Sequence, residues 1–168
     1  MTDVNLLYLE CADGRIYLGP SSSFQAKDTY FGVLSSFLRR DLIVALLGGL
    51  RYRITFFYRD VANRFADLWK YCDVIENSTG MSLVADNADL RLLTDVIIDG
   101  TSWDVSGVLE IDVIDVHGQT IYAITSEDDG AGISIRYHDG NVEMKTHLLE
   151  QIKKTVSVYR MNITEVSP

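Results

Sequence analysis

Proline occurs only twice in the 168 residues, at Pro20 and Pro168. No stretch is dominated by a few residue types, which excludes a proline-rich linker or a low-complexity tail. One globular domain over residues 1–168 is therefore expected. Cysteine is as scarce: Cys11 and Cys72 are the only two, too few for a disulfide framework, and two reduced, buried thiols are the expected state. A membrane-length apolar run is missing as well. The longest, Leu42 to Leu50, follows Arg39, Arg40 and Asp41 and is about half the roughly 20 residues that a spanning helix needs. The opening residues MTDVNLLYLECADG lack the basic region, apolar stretch and small-residue cleavage site of a secretion signal. Cytoplasm is thus the expected compartment, with no membrane contact.

The motifs of catalysis and cofactor binding are absent too. There is no G-x-S-x-G, no P-loop and no G-x-G-x-x-G. Gly130-Ala131-Gly132 is a fragment of the last, but it falls between two predicted strands, where no helix N-terminus would receive a phosphate. Glu127-Asp128-Asp129-Gly130 is rich in acids without the alternating oxygen ligands of an EF-hand. No zinc-finger spacing occurs. The expectation is a protein that is not an enzyme and that holds no cofactor and no metal.

What the chain does have is strand patterning. From Gly107 to Tyr137 it reads GVLEIDVIDVHGQTIYAITSEDDGAGISIRY, three consecutive antiparallel strands. His117-Gly118 offers a two-residue hairpin loop, and with Val116 facing Gln119, Val113 faces Tyr122, Ile111 faces Ile124 and Leu109 faces Ser126. The apolar phase changes between Val113 and Ile114, which predicts a bulge there. In the third strand Ile133, Ile135 and Tyr137 alternate with Ser134, Arg136 and His138.

Upstream, Val4 to Glu10 and Arg15 to Leu18 flank an Asp13-Gly14 turn and predict a hairpin. Tyr30, Val33, Leu34, Phe37 and Leu38 make one helical stripe, and a second helical segment is expected from Asp41 to Leu47, ended by Gly48-Gly49. Leu50 to Arg59 alternates cleanly, with Arg51, Arg53, Thr55, Phe57 and Arg59 on one face. Asp60 caps a predicted helix with the stripe Val61, Phe65, Leu68, Trp69, Cys72 and Glu76. Residues 81–104 are read as strands, on the β-branched Val96-Ile97-Ile98 and the Asp99-Gly100 turn. Asp139 or Asn141 caps a helix with Met144, Leu148, Leu149, Ile152 and Val156 inward. A last strand runs from Val156 or Ser157 to Thr164. The order lacks the regular alternation of a parallel doubly wound sheet. The expected class is α+β, a largely antiparallel β-sheet with about three to four helices packed mainly on one face.

Charge is sorted along the chain. Between Arg39 and Arg64 six arginines meet only Asp41 and Asp60, a net +4, whereas from Asp67 to Asp129 fourteen acids meet only Lys70 and Arg91, a net −12. With −9 overall, the protein would repel phosphates, so nucleic acid is not the expected partner. A field of this sign steers a basic protein instead. The predicted docking surface is acidic: Glu110, Asp112, Asp115, Glu127, Asp128 and Asp129. A compact, acidic, motif-free α+β domain is what an immunity protein or antitoxin that neutralises a basic toxin domain, such as a nuclease, looks like in composition.

Other residues carry alternatives. Arg51, Arg53 and Arg59, with Phe57, make a possible secondary interface for an acidic group or, in a secretion-chaperone-like or structural dimer, for a second copy; a monomer is the favoured state. Equally, those arginines can pair with Glu110 and Asp112 across the sheet. His138, Glu143 and His147 are the only clustered groups for a ligand-binding or metal-dependent enzyme domain, and their spacing matches no zinc pattern.

Overall fold

A computed structural model of the chain describes residues 6–19, 36–56, 73–77, 80–85, 108–127, 132–159 and 161–166. Its strands are β1 (Leu6–Ala12), β2 (Arg15–Gly19), β3 (Arg51–Phe56), β4 (Asp73–Asn77), β5 (Gly80–Ala85), β6 (Val108–Ile114), β7 (Thr120–Glu127), β8 (Gly132–Tyr137) and β9 (Asn162–Val166). Helix α1 (Ser36–Leu47) precedes β3, and α2 (Val142–Val158) precedes β9. The strands form one sheet in the order β4-β5-β3-β6-β7-β8-β2-β1-β9. Every pairing is antiparallel except β1 with β9. Parallel neighbours need a long crossover, and the 17 residues of α2 carry the chain over β2 and β1 to reach that edge.

The expectation of three to four helices over a largely antiparallel sheet is thereby corrected. Among the described residues there are two helices and a mixed, nine-stranded sheet. Two helical segments expected around residues 30–47 are, from Ser36 on, one uninterrupted helix. The helix expected from Asp60 fails at its end, where Asp73–Asn77 is a strand. Val74 and Ile75, β-branched and adjacent, favour the pleat over the helix, and Asn77 pairs with Gly80 of β5, so Asn77 ends a strand instead of a helix. The last strand starts later than expected, at Asn162, because Val156 is an inward residue of α2. The rest of 57–72 and of 86–107, with its expected strands, lies outside the described residues.

The hairpins show why the flanking residues matter. At β1–β2, Asp13 and Gly14 both have positive φ, 51° and 75°, as the primed turn that matches strand twist requires. Gly14 has a second reason to be glycine: a Cβ there would lie 2.7 Å from the Tyr137 carbonyl oxygen. The β6–β7 pairing places Val113 opposite Tyr122 and Ile111 opposite Ile124, with the register shift between Val113 and Ile114, as the phase change predicts. Its turn differs from expectation. Ile114 pairs with Thr120, and the Gly118 amide donates to the Asp115 carbonyl while the Asp115 amide donates to Gln119. The loop therefore has three residues, with Gly118 at φ 77°, a type I turn closed by a left-handed glycine.

Asp115 explains that choice. Its Oδ1 accepts the amides of His117 at 2.8 Å and Gln119 at 3.0 Å, which a two-residue loop would not present to it. The Gln119 amide first, then that of His117, holds its carboxyl below the usual range. Such a group adds stability above its unfolded-state pKa and loses it as pH falls through its lower folded value. Asp115→Ala is expected to lower the thermal midpoint at pH 7 and to converge on wild type in acid, while Asp115→Asn, still an acceptor, loses less; melting curves across that pH range check this.

One face of the sheet is apolar and carries both helices. Leu7, Leu9, Ile16, Leu18, Tyr52, Ile54, Ile111, Val113, Tyr122, Ile124, Ile133 and Ile135 form one cluster with Leu38, Leu42, Ile43, Leu46 and Leu47 of α1 and Leu148, Ile152 and Val156 of α2. Asn141 caps α2, accepting the Met144 amide at 3.0 Å. Two tyrosines tie the elements together: Tyr122 of β7 donates to the Leu46 carbonyl at the end of α1, joining sheet to helix, and Tyr159 at the end of α2 donates to Asp41 of α1, joining the two helices. Burial lifts the Tyr122 phenol to about 12, so the first tie stays protonated at any physiological pH.

Candidate functional site

The other face of the sheet is polar, and its residues are set by the pleat. Cross-strand pairing lines up Arg53 of β3, Asp112 of β6, Ala123 of β7, Arg136 of β8 and Arg15 of β2 in one row. In the adjoining positions Thr55 stands opposite Glu110, Thr125 opposite Ser134, and Ser134 opposite Tyr17. This array pairs its own charges. Arg53 Nε lies 3.6 Å from Asp112 Oδ2, and Arg53 also donates to Thr120 Oγ1 at 3.3 Å. Thr120 donates in turn to Asp112 Oδ1 at 3.1 Å. Arg15 Nε donates to Ser134 Oγ at 2.5 Å and its guanidinium sits 5.8 Å from the Tyr17 ring centre.

The longest reach is that of Arg136, which crosses β7 to bond Glu110. It can do so because Ala123, its direct cross-strand neighbour, carries only a methyl group and leaves most of the space between β6 and β8 open. The result is a cleft of about 410 Å³ lined by Glu110, Asp112, Thr120, Ile121, Ala123 and, on the far side, Arg136 and His138. Carboxylates stand on one wall and bases on the other.

Burial, then the charge of neighbouring Asp112 and a hydrogen bond with it, pushes the Glu110 carboxyl upward, and Arg136 only partly offsets this. A raised carboxyl pKa means the folded state holds the proton more readily than the unfolded chain. Stability from this site is therefore greatest below the unfolded-state value and falls as pH rises through the folded one. Removing the charge in Glu110→Gln should raise stability relative to wild type progressively over that interval and by a constant amount above it; denaturant titrations from acid to neutral pH would show the opposite trend if Arg136 dominated.

Of the acids expected to form a docking surface, Glu110 and Asp112 thus share the cleft, with Asp112 only 5% exposed. Asp115 lies in the β6–β7 turn, engaged with backbone amides. Glu127 ends β7 opposite Gly132, and Asp128 and Asp129 lie outside the described residues. Of the arginine face, Arg53 pairs with Asp112, Arg51 stands opposite Ile114, and Phe57 and Arg59 lie outside the described residues. The histidine cluster is split: His138 lines the cleft, whereas Glu143 and His147 are exposed on α2 and line no part of it. Among the described residues no group of three or more His, Cys, Asp or Glu is placed to hold a metal ion.

No protein-family model, no curated protein and no solved structure matches the chain. The site stands on its own geometry. Sequence reasoning missed Arg136, Thr120 and Ala123 as its members. The alternation of Ser134, Arg136 and His138 puts Arg136 on the right face, but nothing local says that the strand between is low enough to be crossed. Among the described residues no helix is long and apolar enough to cross a membrane.

Proposed function

We propose that this chain is a non-enzymatic binding protein that docks a basic protein partner and neutralises it, in the manner of an immunity protein or antitoxin acting on a toxin domain in the cytoplasm. The observation that carries the reading is charge placement. The segment with fourteen acids and two bases contributes β6, whose Glu110 and Asp112 stand on the sheet face opposite both described helices. Arg53, Thr120 and Arg136 hold these carboxylates in fixed positions. Fixed acceptors lose less entropy when a cationic surface arrives. The net field of −9 speeds the encounter, and such steering weakens with salt.

Capture from the source cell, followed by mapping of lysine-to-carboxylate cross-links, tests the reading. A partner with a pI above roughly 9 is expected, associating faster at low salt. Changing Glu127, Asp128 and Asp129 together to Gln, Asn and Asn should slow association by about tenfold at low ionic strength. A neutral or acidic partner, or an association rate indifferent to salt, would contradict it.

A further inference from the structure

We propose that β9 is a detachable latch on the edge of β1: it opens while the rest of the described fold stays in place, and the edge it uncovers accepts the β9 of a second copy. The two strands are anchored very unequally. In β1, Leu7 and Leu9 are at most 2% exposed and belong to the core, and β1 is also paired antiparallel with β2. In β9 and the residue before it, none of residues 161–165 is buried: Met161 and Ile163 are half-buried, and Asn162, Thr164 and Glu165 are exposed.

What holds β9 is correspondingly weak. Its pairing with β1 is parallel, the less stable of the two ladder types, and the strand has only 5 residues. Lys153 of α2 bonds Glu165, but the two side chains are 51% and 61% exposed, and ion pairs so hydrated contribute little. Met161 and Ile163 touch the core only from its rim. Segments with few buried apolar groups open first. Helix α2 does not follow, because Leu148, Ile152 and Val156 are buried and Tyr159 bonds Asp41 of α1. The break therefore falls between Tyr159, which caps α2, and Asn162, which starts β9.

Opening leaves one side of β1 with unpaired amides and carbonyls, a template for another strand. The segment that fits it is Asn162–Val166, which pairs with residues 6–10 one for one, and every copy of the chain carries both. An exchanged dimer makes the same strand contacts as two closed monomers, so concentration decides between them. A short connection like the one after Tyr159 invites such exchange.

Amide exchange on the full chain tests the latch. Alternate amides of β1 face β9 and β2. Those facing β9 should exchange at least about a hundredfold faster than those facing β2. Dilute urea should change the first set little, since opening exposes little surface, and accelerate the second steeply. Equal exchange of both sets, with one urea dependence, would overturn the latch. Disulfide trapping tests the exchange of strands. With Cys11 and Cys72 replaced by Ser, a copy carrying Tyr8→Cys is mixed with one carrying Thr164→Cys. These positions are register partners, close enough for a disulfide when β9 of one copy lies on β1 of the other. The yield of covalent dimer should rise with concentration and exceed that of Tyr8→Cys mixed with Glu150→Cys, a position exposed on α2. Equal yields from the two mixtures would overturn the exchange while leaving the opening of β9 intact.

Discussion

Ile152→Ala should lower the free energy of unfolding by about 2–5 kcal/mol, the usual range for emptying a fully buried aliphatic site. Ile152 has no exposed surface and lies midway along the inward stripe Leu148, Ile152, Val156 of α2. That helix is also the crossover that delivers β9 to β1, so loosening it weakens a sheet edge as well as a layer. Urea unfolding measures the loss. The neighbouring change Lys154→Ala, at an exposed position on the same helix, should move the midpoint little. Similar losses for the two would mean that α2 does not pack on the sheet as described.

Gly14→Ala comes next in size and acts through backbone, not burial. The left-handed conformation at φ 75° costs an L-residue roughly 1–2 kcal/mol. The new methyl group would also sit 2.7 Å from the Tyr137 carbonyl oxygen and 3.1 Å from the Asp139 amide nitrogen, both backbone atoms that cannot rotate away. The total should exceed about 2 kcal/mol. Gly118→Ala is the matched comparison, since its φ is 77° but nothing lies within 4 Å of the added carbon. It should show the conformational cost alone. If both variants lose the same stability, the turn of β1–β2 does not press against β8.

Features set by neighbours in sequence were legible before the structure, and those set by distant partners were not. The Val113–Ile114 bulge follows from the phase change between Leu109, Ile111 and Val113 on one parity and Ile114 and Val116 on the other, and the primed turn at Asp13-Gly14 follows from its two residues. The β6–β7 loop is one residue longer than the hairpin rule predicts, because its length is decided by the Asp115 side chain capping two amides. At Asp73–Asn77 an apolar stripe of helical spacing met two β-branched residues, and pairing with β5 decided the outcome. The parallel β1–β9 edge leaves no local trace at all. In the site, the alternation of β3 and β6 correctly allowed Arg53 to meet Asp112. The link from Arg136 to Glu110 depends on the small methyl side chain of Ala123, and smallness on an intervening strand carries no pattern that marks it in sequence.

Docking of a basic partner on the polar sheet face is tested most directly by amide chemical-shift mapping of the full chain during titration with that partner. The expected result is that the amides of Asp112, Thr120, Ile121, Ala123 and Arg136 shift or broaden while those of Val44, Ala45, Gln151 and Thr155, on the helical layer, stay in place. Perturbations confined to the helical layer, with the β6–β7–β8 amides unmoved at saturation, would contradict it.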